Sequence, residues 1–151
     1  MTSDHDTRQP KTRPIRALRI VVADDDKRMR EFYEEVLKRV GHVVVGAAAD
    51  GAELVALCLE KQPDLVVTDI RMPNVDGIEA AHTISDQVEL PFLFVSAYYD
   101  DSLIDEASNT FSYGYLVKPI KQEDLATSIP VAMRRFWERR AALSADKERR
   151  Q

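Results

Sequence analysis

The chain has 151 residues, is 44% hydrophobic and 31% charged, and carries a formal net charge of −5, a profile that fits one globular domain with tails. No apolar run is long enough to span a bilayer, the opening residues MTSDHDTRQPKTRP contain no signal-peptide core, and the lone Cys58 excludes an internal disulfide, so a reducing, cytoplasmic setting is expected. The charge is uneven: residues 1–18 hold four basic and two acidic side chains, 134–151 seven and three, and 19–133 ten and twenty-one. That acidic middle disfavours nucleic-acid binding and suits a cation site, while the basic tails read as solvated ends.

Residues 1–16 show no periodicity and read as a disordered arm. The apolar run 18–23 is a strand that stops at Asp24-Asp25-Asp26. Adjacent carboxylates repel and resist desolvation, so three of them at a strand end imply that something positive is held there. Met29, Phe32, Tyr33, Val36, Leu37 and Val40 recur at helical spacing over 27–40, with Gly41 where a left-handed residue belongs. A second strand covers 43–49. Asp50, with Glu53 three residues on, makes a capping-box-like start for a helix over 51–61. Cys58 falls inside it among Leu54, Val55, Leu57 and Leu59, as a small buried hydrophobe.

Pro63-Asp64 breaks the chain, and a third strand over 65–68 ends at Asp69. A loop over 70–75 carries Met72-Pro73, and a helix follows over 76–87. Pro91 opens a fourth strand over 92–95 that ends at Ser96, and a polar helix covers 100–109. The fifth strand, 113–117, ends at Lys118-Pro119, and a last helix runs from about 122 into the basic tail. On that helix Leu125, Ile129, Met133, Phe136 and Leu143 lie near one stripe, and Pro130 is expected to kink it or break it locally. Trp137 either covers the domain or sits in an interface.

Continuous apolar strands alternating with helices imply a parallel sheet covered on both faces. Right-handed crossovers then bring every strand's C-terminal end to one edge, where ligands of open α/β sheets bind. Asp24, Asp25, Asp26, Asp69, Ser96 and Lys118 all fall on that edge.

The segments VVADDD, VVTDIRMPNVDG, FVSAYY and YGYLVKP make the chain resemble two-component response-regulator receiver domains over residues 18–140. The resemblance implies a flavodoxin-like, doubly wound five-stranded parallel sheet of order 2-1-3-4-5 with helices on both faces. It implies a receiver over 17–140, with 141–151 as a basic helical extension or tail. It implies that Asp69 accepts a phosphoryl group from a histidine kinase or phosphotransfer protein, with Asp24 and Asp25 as the acid pair, Ser96 as the hydroxyl, Lys118 as the lysine and Tyr115 as the switch aromatic. Mg²⁺, or Mn²⁺ in its place, would be held by Asp24, Asp25, Asp69 and the Arg71 backbone carbonyl. Asp26 reads as a bystander on the loop surface, and the Lys118-Pro119 bond is expected to be cis.

In the family, phosphorylation draws the hydroxyl inward and lets the switch aromatic turn, remodelling the face made by the fourth helix, fifth strand and fifth helix. Partner binding or dimerisation there, or through the C-terminal helix, would follow. Arg71 and Tyr98, both bulky, occupy the two positions that tune the lifetime of the acyl phosphate and imply slow loss. The segment DLATSIPVAMRRFWERRAAL is similar to the last receiver helix of RNA-binding antiterminator regulators. The expectation is a single-domain regulator or the receiver piece of a longer regulator or hybrid kinase. Rival readings are weaker. A dehalogenase-type phosphatase needs an acid where Arg71 stands, no phosphate-binding or dinucleotide glycine motif occurs, and His5, His42 and His82 lack zinc-ligand spacing. A phosphorylation-independent interaction scaffold is the remaining alternative, and the intact acid, hydroxyl and lysine set argues against it.

Overall fold

The structure, a computed structural model, describes residues 16–97 and 111–150. Its elements are β1 (Arg19–Ala23), α1 (Lys27–Arg39), β2 (Val43–Ala48), α2 (Gly51–Lys61), β3 (Leu65–Asp69), α3 (Gly77–Ser85), β4 (Phe92–Ser96), β5 (Ser112–Val117) and α4 (Gln122–Arg150). The five strands pair in parallel in the order β2-β1-β3-β4-β5. The helix expected over 100–109, and the expected arm up to Ile15, lie outside the described residues.

The helix boundaries follow local chemistry. At the end of α1, Gly41 adopts a φ of 96°, its N–H donates to the Lys38 carbonyl, and the His42 N–H donates to the Leu37 carbonyl. These two bonds form a Schellman motif that satisfies carbonyls the helix end leaves over. The Asp50 side chain accepts from the Glu53 N–H at 2.9 Å, as the capping-box pattern implies. The return bond differs: the Glu53 carboxylate accepts from the Ala49 N–H at 2.8 Å, one residue outside the expected partner. Asp26 is exposed at the surface, as expected, but it also has a structural part. Its carboxylate accepts from the Arg28 N–H at 2.9 Å and caps α1. An Asp in extended backbone immediately before a helix is a favoured N-cap, so its position already carried that signal.

Alternate residues of the buried strands serve two cores. Val21, Val66, Phe92 and Phe94 face α2 and α3, packing with Leu54, Cys58, Ile78 and Ile84. Ile20, Val22, Leu65, Val67, Leu93 and Val95 face α1 and α4, packing with Tyr33, Leu37, Leu125, Ile129 and Met133. Each fully buried aliphatic side chain contributes roughly 1.5–3 kcal/mol. Cys58 behaves as the small hydrophobe expected, with burial pushing its thiol up to about 12.

Of the two outcomes expected at Pro130, the local break is not found: α4 is continuous through it. A proline removes one helical hydrogen bond and costs about 3 kcal/mol. Leu125, Ile129, Ala132, Met133 and Phe136 are all buried on either side of it, and that packing outweighs the cost. Beyond Phe136 the helix leaves the core: Trp137 is 40% exposed and Leu143 50%.

His42 ties the start of β2 to the start of β1, its Nδ1 accepting the Leu18 N–H at 3.0 Å. Burial holds its pKa below the ordinary value. As pH falls below about 6.5 the unfolded chain therefore takes up the proton first, and folding stability is lost. His42→Asn keeps an acceptor that does not titrate. Urea midpoints should fall more steeply between pH 7 and pH 5 for the wild type than for His42→Asn, and parallel pH profiles would contradict the assignment.

Candidate functional site

The parallel register of β1 and β3 builds the site. Ile20 pairs with Leu65 and Val22 with Val67. Two residues further along each strand path stand Asp24 and Asp69, on the same face by the alternation of strand side chains. Asp25 follows in the loop and is exposed, whereas Asp24 and Asp69 are buried. One carboxylate oxygen from each of the three lies within 4.8 Å of the others. Among the described residues this is the cluster that could hold a metal ion, and an all-carboxylate donor set suits a hard divalent cation.

Lys118 closes the site from the end of β5. Its Nζ donates to Asp24 Oδ2 at 2.8 Å and to Asp69 Oδ2 at 3.1 Å. One ammonium thus joins both buried carboxylates. The other Asp24 oxygen, Oδ1, accepts the Asp26 N–H at 2.9 Å, and the Asp24 carbonyl accepts from the Arg30 guanidinium at 2.8 Å. The Lys118 N–H donates to the Ser96 carbonyl at 2.7 Å, and the Lys118-Pro119 bond is cis, as expected.

The electrostatics are those of two buried acids sharing one ammonium. Burial pushes the Asp69 carboxyl above its ordinary range, the Lys118 charge offsets part of this, and the Asp24 charge adds to it. Burial alone would lower Lys118, but its bond to Asp24 and the charges of both carboxylates outweigh it and hold its pKa up. The lysine is therefore charged at neutral pH.

The response regulator receiver domain family matches this chain over residues 20–130. The chain belongs to that family. As a receiver it is similar to the transcriptional regulatory protein PdtaR of Mycobacterium tuberculosis, 35% identical over 137 residues that cover 91% of this chain and 63% of that protein. It is also similar to the positive alginate biosynthesis regulatory protein of Pseudomonas aeruginosa, 30% identical over 78% of this chain and 48% of that one. The chain thus spans between about half and two thirds of these relatives' lengths. Among solved structures, the signal receiver domain of NarL from M. tuberculosis superimposes with a TM-score of 0.73 at 29% identity, covering 80% of this chain and 98% of that one. The response regulator domain of Thermotoga maritima CheB gives 0.69 at 29%, over 80% and 96%. The flavodoxin-like arrangement and the 2-1-3-4-5 strand order are those of a receiver.

The remaining residues expected in the receiver's site fall around its rim. Ser96 is buried at the end of β4. Arg71 is exposed in the loop after β3. Tyr115 is half-buried on β5 and packs toward α2 and α3, next to a cluster that holds Phe94 and Phe111. Tyr98 lies outside the described residues. The loop after Asp69 is held close: the Gly77 N–H donates to the Ile70 carbonyl at 2.7 Å, and a Cβ at Gly77 would collide with the Asp69 carbonyl oxygen. Sequence reasoning missed this glycine's part in the site, and the Asp-Gly before a helix was the available signal, since Asp76 caps α3 by accepting from Glu79.

Removing the ammonium leaves two buried acids facing each other. Lys118→Met should cost about 2 kcal/mol by urea denaturation at pH 7, less than a fully buried pair because part of the lysine meets solvent. Without Lys118 the folded-state pKa of Asp69 rises further above its unfolded value, so the deficit should shrink as pH falls and the folded form takes up the proton. An unchanged midpoint at pH 7 would show the bridge to be energetically idle.

Proposed function

We propose that Asp69 is the phosphoacceptor of this receiver, taking a phosphoryl group from a histidine kinase or a histidine phosphotransfer protein. The observation that carries the reading is the bridge of Lys118 between Asp24 and Asp69 beside exposed Asp25. In the step, an Asp69 carboxylate oxygen attacks phosphorus, the bond from phosphorus to the donor imidazole nitrogen breaks, and the electron pair leaves with that nitrogen. Both the nucleophile and the phosphoryl group are anionic, so the step needs positive charge on both sides.

Lys118 supplies one side. Asp24, Asp25, Asp69 and the Arg71 backbone carbonyl would hold Mg²⁺, or Mn²⁺, on the other. When bound, the cation neutralises charge on carboxylate and phosphoryl oxygens. The Lys118 ammonium moves from the paired carboxylates to a phosphoryl oxygen, and the Ser96 hydroxyl donates to another. Tyr115 then turns as Ser96 is drawn inward, a shift between two arrangements that phosphorylation biases. The altered face would bind a partner or a second copy, and exposed Trp137 and Leu143 on α4 offer a second dimer surface. Among the described residues no helix is long and apolar enough to cross a membrane, and a cytoplasmic location is part of the same reading. The chemistry is self-modification rather than turnover of a separate substrate.

Acetyl phosphate with Mg²⁺ should add one phosphoryl group to the wild type by intact mass, and Asp69→Asn should remain unlabelled. Labelling of Asp69→Asn to the same extent would move the acceptor elsewhere. Arg71, with Tyr98, should hinder the attacking water, so the labelled protein should persist for minutes or longer after acetyl phosphate is removed. Decay within seconds would overturn that role for the pair.

A further inference from the structure

One buried titratable group has no part in the chemistry above. Tyr33 on α1 is fully buried, packed with Ile20, Val22, Leu65 and Val67, and its Oη has no hydrogen-bond partner among the described residues. An unpaired buried hydroxyl is costly, and a leucine or phenylalanine would fill this apolar place without that cost.

The topology sets where the hydroxyl points. α1 descends from the acidic loop, with Asp26 at its N-cap. Helical side chains lean toward the N-terminus of their helix, so Tyr33, two turns below the cap, leans back toward the acids. The two strand columns it packs against, Ile20 to Val22 and Leu65 to Val67, continue on the same face to Asp24 and Asp69. Burial, then the charges of Asp24 and Asp69, push the phenol's pKa far up, so it is protonated and able to donate.

We propose that Tyr33 is a positioning residue of the phosphorylation site, its hydroxyl donating from beneath the carboxylates of Asp24 and Asp69 across one intervening water. The inference rests on the phosphoacceptor reading. In the structure, Lys118 satisfies one oxygen of each carboxylate. When Lys118 moves to a phosphoryl group, both carboxylates lose that donor together. A donor fixed in the core keeps their orientation through the change, as outer hydrogen bonds do for metal-ligating carboxylates.

The test compares the full wild-type chain with Tyr33→Phe, titrating each with MgCl₂ by calorimetry and measuring each one's thermal midpoint without metal. The expected result is Mg²⁺ affinity about tenfold weaker in Tyr33→Phe, with a midpoint equal to or above wild type. A hydroxyl that is merely buried would leave Mg²⁺ affinity unchanged whatever the midpoint does, and that result overturns the proposal. Should Tyr33→Phe fail to fold, wild-type protein carrying ¹³C at the Tyr33 Cζ is titrated with MgCl₂. A resonance shift that saturates with Mg²⁺ supports the proposal, and an unmoved resonance overturns it. If the wild type itself takes up no Mg²⁺, the phosphoacceptor reading fails and this inference falls with it.

Discussion

Two carboxylates sharing one ammonium is the constraint on which the rest of this molecule depends. Asp24 and Asp69 are buried, and the Lys118 bonds at 2.8 and 3.1 Å offset much of the cost of holding both acids there. The arrangement is a poised one. The lysine is bound tightly enough to keep the acids in place, yet a fifth of its side chain still meets solvent, so it can leave. A fully buried and fully satisfied ion pair would make a stable core and a poor acceptor.

The fold brings these groups together from opposite ends of the chain with little freedom. The in-register pairing of β1 with β3 puts the two acids side by side, and β5, two strands away from β3, delivers Lys118 through a backbone bond to Ser96. Gly77 lets α3 start hard against the Asp69 carbonyl, which leaves that strand end no room to drift. Small side chains, caps and register, rather than the reactive groups themselves, set the geometry to within an ångström or so.

What could be read from the sequence was what period and position encode. The apolar runs ending in Asp24, Asp69, Ser96 and Lys118 announce both the parallel sheet and its working edge, because a residue that follows a buried strand must lie at that edge. Other features depend on choices periodicity does not register. Tyr33 reads as one more apolar helix position, since the pattern weighs the ring and ignores the hydroxyl. Asp26 reads as a surplus acid until its backbone is known to be extended. Pro130 reads as a kink or a break because local propensity cannot count the five buried side chains that keep α4 helical through it. The sharing of Lys118 between both acids is a matter of a few tenths of an ångström, which no pattern of residue types specifies.

The length of α4 has a mechanical side. Its 29 residues extend about 43 Å, whereas the five-residue strands beneath it reach about 17 Å. Everything past Arg140, some ten residues or about 15 Å, stands clear of the core on a stem rooted between Leu125 and Arg140. Such a stem is a lever. A tilt of about 10° at its root sweeps the tip through about 3 Å, so a rearrangement beside β5 too small to alter the core would be felt as a larger displacement at the far end of the helix.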